Sequence, residues 1–231
     1  MPATSFPFSR ISPSSARRRR HTLLATLLVA VSCATAPAMA QVVERAGVRA
    51  VLTHDRHLSG TDRVAEAAAR PEFASFDVVA NVQGDEPFIP REALAGAIER
   101  IARGDDVGTA AAPLAAADAG DPARVKLVTD AEGRALYFSR AAIPYRRELT
   151  DLADELYWQH LGVYVYTRPA LARWVEASPS PAERAERLEQ LRALHVGLTI
   201  GVTRLSEPAQ PGVDTADDLR RAEAHWHAFQ G

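Results

Sequence analysis

The residues best equipped for chemistry follow directly on an apolar run. The stretch "VVANVQGDEP" (residues 78–87) passes from side chains suited to burial straight into Gln83, Gly84, Asp85 and Glu86. Adjacent carboxylates at the mouth of a buried strand are costly unless a cation or a hydrogen-bonding partner meets them. In open α/β sheets ligands sit beyond the carboxyl ends of the strands, which puts Gln83 and Asp85 where a site belongs. An acidic surface turn is the other reading, since Asp and Gly are ordinary turn formers. A second acidic turn, "GVDTADDL", sets Asp214 just ahead of a helix, where Asp and Thr commonly do no more than cap. Two carboxylates from such distant parts of the chain could together hold Mg²⁺, which favours carboxylate oxygens plus substrate phosphates over an all-protein cage.

Further candidates are scattered along the chain. "HLSGTDR" (residues 57–63) places Ser59, Gly60 and Thr61 beside Arg63 at a helix start, where backbone N–H groups can receive an anion or simply be capped. In "ALYFSRAAIPY", Arg140 ends an apolar run before a proline-bounded turn; its guanidinium could clamp a carboxylate in a bidentate fork or form a surface ion pair. His160 and, four residues on, Tyr164 share one side of a strand and could line a pocket, although a lone histidine also serves structure. In the stretch 181–196, Leu188, Leu191 and Leu194 form the core stripe and Glu183 and Glu186 read as a solvated face, while Glu189 and Gln190 are either surface or tipped toward the site.

Positioning these groups requires an α/β scaffold. Short β-branched runs alternate with helical stretches, the pattern of βαβ units and a mostly parallel mixed sheet. Strands are expected at 48–53, 76–83, 107–113, 125–129, 136–140, 160–166 and 199–205. Helices are expected at 61–70, 91–103, 168–176, 181–196 and 216–229. Two helix starts carry capping boxes: Ser180 with Pro181 and Glu183, and Thr215 with Asp218. The alanine-rich stretch 110–120 reads as a loop after its strand. Within "HLGVYVYT", Leu161, Val163 and Val165 alternate with Gly162, Tyr164 and Tyr166, so that strand has two different faces.

Composition narrows the class. The chain has 231 residues, 47% hydrophobic and 24% charged, enough for a real core. A net charge of -2 gives no electrostatic reason to bind nucleic acid. One cysteine, Cys33, permits neither an internal disulfide framework nor a Cys-based zinc site. No GxSxG elbow, HExxH pair, GxxxxGK[ST] loop or GxGxxG turn is present, which argues against hydrolase, zinc-protease, P-loop and dinucleotide readings. Residues 1–40 differ in character: four consecutive arginines, a short apolar stretch from Leu23 to Val31, then "AMA" before Gln41, the layout of a secretory signal peptide. The apolar stretch falls short of the about 20 residues that span a bilayer, so a membrane anchor is not expected.

Taken together, "HLSGTDRVAEAA", "VVANVQGDEPFIP", "VKLVTDAEGRALYFSRAAIPY", "QHLGVYVYTR", "SPSPAERAERLEQLRAL" and "PGVDTADDLRRAE" resemble the 3-deoxy-manno-octulosonate cytidylyltransferases in order and spacing. The resemblance covers residues 41–231 and implies a Rossmann-like nucleotidyltransferase fold. It implies a cytoplasmic homodimer that uses Mg²⁺ to couple CTP to 3-deoxy-manno-octulosonate (Kdo) with release of pyrophosphate, for lipopolysaccharide synthesis. On this likeness Asp85 and Asp214 are the magnesium carboxylates. Ser59, Gly60, Thr61 and Arg63 form the cytidine side, and Gln83, Arg140, His160, Tyr164, Glu189 and Gln190 the Kdo pocket. The family's opening strand and phosphate-gripping loop, of the form "IPARxxSTRLPGKPL", find no match here. Residues 1–40 are therefore expected to be a frame-shifted or misassigned segment outside the fold, and the signal-like layout spurious. The other expectation is a catalytically impaired relative that binds sugar acid or dimerises without turnover.

Overall fold

The computed structural model describes residues 31–34, 37–57, 59–148, 156–213 and 215–229. A small parallel pair, β1 (Val31–Ala34) and β2 (Arg49–Leu52), is joined by α1 (Pro37–Arg45). Next come α2 (Gly60–Ala68), β3 (Val78–Val82), α3 (Arg91–Ala102) and β4 (Val107–Leu114). They are followed by β5 (Lys126–Thr129), β6 (Ala135–Ser139), β7 (Tyr157–Thr167) and α4 (Arg168–Glu176). The chain ends with α5 (Pro181–Glu186), α6 (Gln190–His195), β8 (Ile200–Arg204) and α7 (Ala216–Phe229). The boundary expected at residue 41 falls inside α1, and β1 precedes it.

The main sheet has six strands in the order β6-β5-β7-β4-β8, with β3 also paired to β7. It is mixed, as expected, but its pairings are mostly antiparallel rather than mostly parallel. The cause is β7, which runs against β3, β4 and β5, leaving β4–β8 as the parallel pair. Since β3 and β4 both oppose β7, and β8 follows β4, the carboxyl ends of β3, β4 and β8 still share one edge of the sheet. That edge is where the acidic turn after β3 emerges.

The sheet's centre is tightly built. Ala110, Ala111 and Ala112, expected to lead into a loop, instead lie fully buried within β4. Small residues are needed there because α3 lies close: a Cβ on Gly108 would stand 1.9 Å from the Ala97 carbonyl oxygen. The two faces expected for β7 are real. Tyr164 and Tyr166 join the core that contains Phe138, Trp174 and Leu191, while Leu161 and Val163 pack with Ala93, Ala110 and Ala112.

The single helix expected over 181–196 is two helices. Arg187 takes a left-handed conformation (φ 57°), which closes α5 and turns the chain into α6. Both capping boxes are formed: Ser180 Oγ accepts from Glu183 N at 3.0 Å, and Asp218 N donates to Thr215 Oγ1 at 3.2 Å. Glu183 is no surface residue; it is buried against Arg192, whose Nε donates to it at 2.9 Å.

Candidate active site

The acidic turn is explained first by the strand beside it. Gln83 N donates to the Gly162 carbonyl at 2.9 Å, and Glu86 N donates to the Gln83 carbonyl at 3.2 Å, closing a turn over residues 83–86. The Glu86 carboxylate accepts the Gly162 amide at 3.1 Å, so one of the two adjacent acids is satisfied inside the fold. Asp85 is exposed, and its carboxylate has no hydrogen bond or ion pair among the described residues. Gly162 sits close under the turn: a Cβ there would lie 2.9 Å from Glu86 Cγ and 3.2 Å from Gln83 Oε1.

Gly162 lies in a bulge of β7, where the pairing with β4 jumps between Thr109 and Ala110. Bulges next to sites re-aim side chains. Here the Thr109 hydroxyl donates to the Val163 carbonyl at 2.7 Å. Its single proton being spent, the hydroxyl accepts from His160 Nε2, 3.0 Å away, which fixes the tautomer with Nδ1 as an acceptor. Burial lowers the His160 pKa to about 3, so the ring is neutral at physiological pH. It meets Phe138 edge-on at 5.2 Å and Tyr164 at 5.2 Å. Tyr164 is itself buried, its phenol held well above the usual range by burial, and it stacks on Tyr166 at 5.9 Å. These residues form a rigid aromatic wall rather than titrating groups.

The second acidic segment reaches the first. Val213 N donates to the Asp85 carbonyl at 2.7 Å, and Gly212 lies against the same oxygen. Asp214 itself is outside the described residues. No group of three or more His, Cys, Asp or Glu that could hold a metal is found among the described residues. A cleft of about 410 Å³ adjoins the turn, lined by residues that include Gly84, Pro87, Val213 and Trp226.

Ser59 caps α2, accepting from Asp62 N at 3.1 Å. Thr61 is buried, and its hydroxyl donates to Glu189 Oε2 at 2.9 Å, tying α2 to the start of α6, where Gln190 is also buried. Burial raises the Glu189 pKa, with the Thr61 bond opposing. The groups expected on opposite sides of a ligand therefore share one wall. The Arg63 guanidinium donates to the carbonyls of His54 and His57 at 3.1 and 3.3 Å and braces the loop before α2.

Arg140 makes no surface ion pair among the described residues. Its Nε donates to the Glu186 carbonyl at 2.8 Å and its Nη1 to the Pro122 carbonyl at 2.8 Å. Two of the residues that set this arrangement have weak sequence signals. Glu186, expected on a solvated face, accepts from Ser139 Oγ at 2.7 Å and from Arg140 N at 2.9 Å. Lys126 is fully buried, and a lone lysine inside the apolar run "VKLVT" was its only signal.

Residues 21–200 match the cytidylyltransferase family model. That match begins before residue 41, as β1 does. The chain is 53% identical over 193 residues to a 3-deoxy-manno-octulosonate cytidylyltransferase of Gemmatimonas aurantiaca, covering 82% of this chain and 74% of that one. It is 45% identical over 196 residues to the protein of the same name from Methylococcus capsulatus, covering 81% and 76%. A solved CMP:2-keto-3-deoxy-manno-octonic acid synthetase complexed with CTP superposes with a TM-score of 0.80 at 32% identity, covering 89% of this chain and 83% of that one. At 15% identity, an inositol-1-phosphate CTP transferase from T. maritima shares the fold, with a TM-score of 0.55 over 82% of this chain and 70% of that one.

Proposed function

The chain belongs to the cytidylyltransferase family, and we propose that it transfers CMP from CTP to Kdo, releasing pyrophosphate and supplying CMP-Kdo for lipopolysaccharide synthesis. The observation that carries this reading is the 53% identity to a relative named for that activity across 82% of the chain, together with a fold that superposes on a CTP-bound synthetase. The geometry supports it: an exposed acidic turn adjoins a cleft at the carboxyl end of β3, on the sheet whose neighbouring strand carries the buried His160 and Tyr164.

In this reading the anomeric hydroxyl of Kdo attacks the α-phosphorus in line, so catalysis is chiefly positioning and charge neutralisation. An exposed carboxylate such as that of Asp85 suits Mg²⁺, which takes one or two carboxylates and completes its shell with phosphate oxygens and water. Asp85 and Asp214 would hold it, where it would offset the negative charge that grows on the phosphates. Ser59, Gly60, Thr61 and Arg63 shape the cytidine side. Arg140 meets the sugar-acid carboxylate, and Gln83, His160, Tyr164, Glu189 and Gln190 define the remainder of the Kdo pocket. His160 acts as a neutral hydrogen-bonding group, because a ring with a pKa of about 3 does not take up a second proton near pH 7.

The enzyme acts as a cytoplasmic homodimer in this reading; among the described residues no helix is long and apolar enough to cross a membrane. Pyrophosphate release tests the activity. It should require CTP, Kdo and Mg²⁺ together, and folded protein that releases none with all three present would overturn the assignment.

A further inference from the structure

Around Arg140 the charges are arranged against expectation. Its guanidinium is held by main-chain carbonyls: Glu186 at 2.8 Å, Pro122 at 2.8 Å and, more loosely, Arg187 at 3.5 Å. The carboxylate nearest in the chain contacts, that of Glu186, goes instead to Arg140 N and to Ser139 Oγ. On the other side Lys126, fully buried, donates to the carbonyls of Asp121, Arg124 and Arg140 at 2.7, 2.5 and 2.6 Å. Burial draws its ammonium below the usual lysine value; Asp121 favours the charge, Arg140 opposes it and Glu186 favours it. Glu186 and Lys126 thus grip the Arg140 main chain from both sides, while neutral carbonyls orient the guanidinium without cancelling its charge. A guanidinium carries more N–H donors than these carbonyls use. An oriented cation with spare donors is what a carboxylate needs for a charge-assisted pair.

We propose that Glu186 and Lys126 are the positioning residues of Arg140, presetting its guanidinium for the carboxylate of the sugar acid. Neither touches the ligand; each acts through the arginine. The inference rests on the reading of Arg140 given above.

Isothermal titration of Kdo into the full chain with its CTP complement, alongside steady-state kinetics, tests it. Arg140→Ala should weaken Kdo about a hundredfold. Glu186→Ala should weaken Kdo about tenfold, with affinity for CTP unchanged within about twofold. Glu186→Gln, whose amide oxygen can still accept from Arg140 N, should recover most of the loss. Combined with Arg140→Ala, Glu186→Ala should add almost nothing, as expected for two residues acting through one contact. Lys126→Met should behave like Glu186→Ala where it folds, and Glu186→Ala decides the matter where it does not. Full additivity in the double variant, or equal weakening of CTP and Kdo by Glu186→Ala, overturns the positioning role. An Arg140→Ala protein that binds Kdo normally overturns instead the assignment of Arg140 on which it rests.

Discussion

Two regions that carry the candidate site residues are built on opposite principles. The wall formed by β6, β7 and α6 is buried and bonded before any ligand arrives: His160 is locked to Thr109, Tyr164 is stacked, and Glu189 is tied to Thr61. The turn at residues 83–86 is pinned at its root by Gly162 but carries an exposed Asp85. The ordering cost of the first region falls within folding itself. The second waits for a charged partner to complete it. The contrast implies that damage to the wall shows as lost stability, and damage to the turn as lost turnover.

Substitutions can break or sharpen that contrast. The largest effect is expected at Trp174, which is buried edge-on to both Tyr164 and Tyr166: Trp174→Ala should cost about 3–5 kcal/mol of stability, read by urea unfolding. A cost under about 1 kcal/mol would mean the wall is not rigid. On the turn, Asp85→Asn should reduce kcat/KM by about a thousandfold, the several kcal/mol that charge neutralisation by the proposed Mg²⁺ would contribute, while leaving stability within about 0.5 kcal/mol. The reverse pattern would erase the distinction.

Acid probes the wall more gently. The His160 pKa falls from 6.5 to about 3 on folding, so its contribution to stability is whole above pH 6.5 and declines as pH drops toward 3. Each unit in that window costs about 1.4 kcal/mol, so unfolding at pH 5 should show a deficit of about 2 kcal/mol that is absent in His160→Gln. An identical pH dependence in both proteins would show that the ring takes up a proton without unfolding. The smallest effect belongs to Gly162, in the β7 bulge beneath the turn. Gly162→Ala introduces a Cβ that meets the flexible ends of Glu86 and Gln83, and should raise KM a fewfold with stability lowered by about 1 kcal/mol.

Much of this architecture is written in local pattern. The ends of α4 and α7 and both capping boxes follow from residue types whose preference is intrinsic, and the turn after β3 announces itself by carboxylates following an apolar run. What local pattern does not reach is pairing. Nothing in "HLGVYVYT" says that it will oppose three other strands, so the antiparallel bias of the sheet emerges only in three dimensions. The same holds for Arg187, a residue with no intrinsic left-handed preference that nonetheless divides a helix expected to be continuous. Glu183 and Glu186 read as solvent-facing because helical periodicity assumes that continuity; once the chain breaks at Arg187 their partners come from β6 and α6. Among the site residues, Asp85 and Gln83 declare themselves by position, whereas the bracing of Arg140 by carbonyls depends on contacts remote in sequence.

The most direct measurement follows phosphorus through the reaction. In ³¹P nuclear magnetic resonance of the protein with CTP, Kdo and Mg²⁺, the α-phosphorus of CTP should move into a CMP–sugar diester as pyrophosphate accumulates in equal amount. The Asp85→Asn protein should leave the CTP resonances in place. Unchanged CTP signals over folded wild-type protein, or hydrolysis of CTP with no diester formed, would contradict the account.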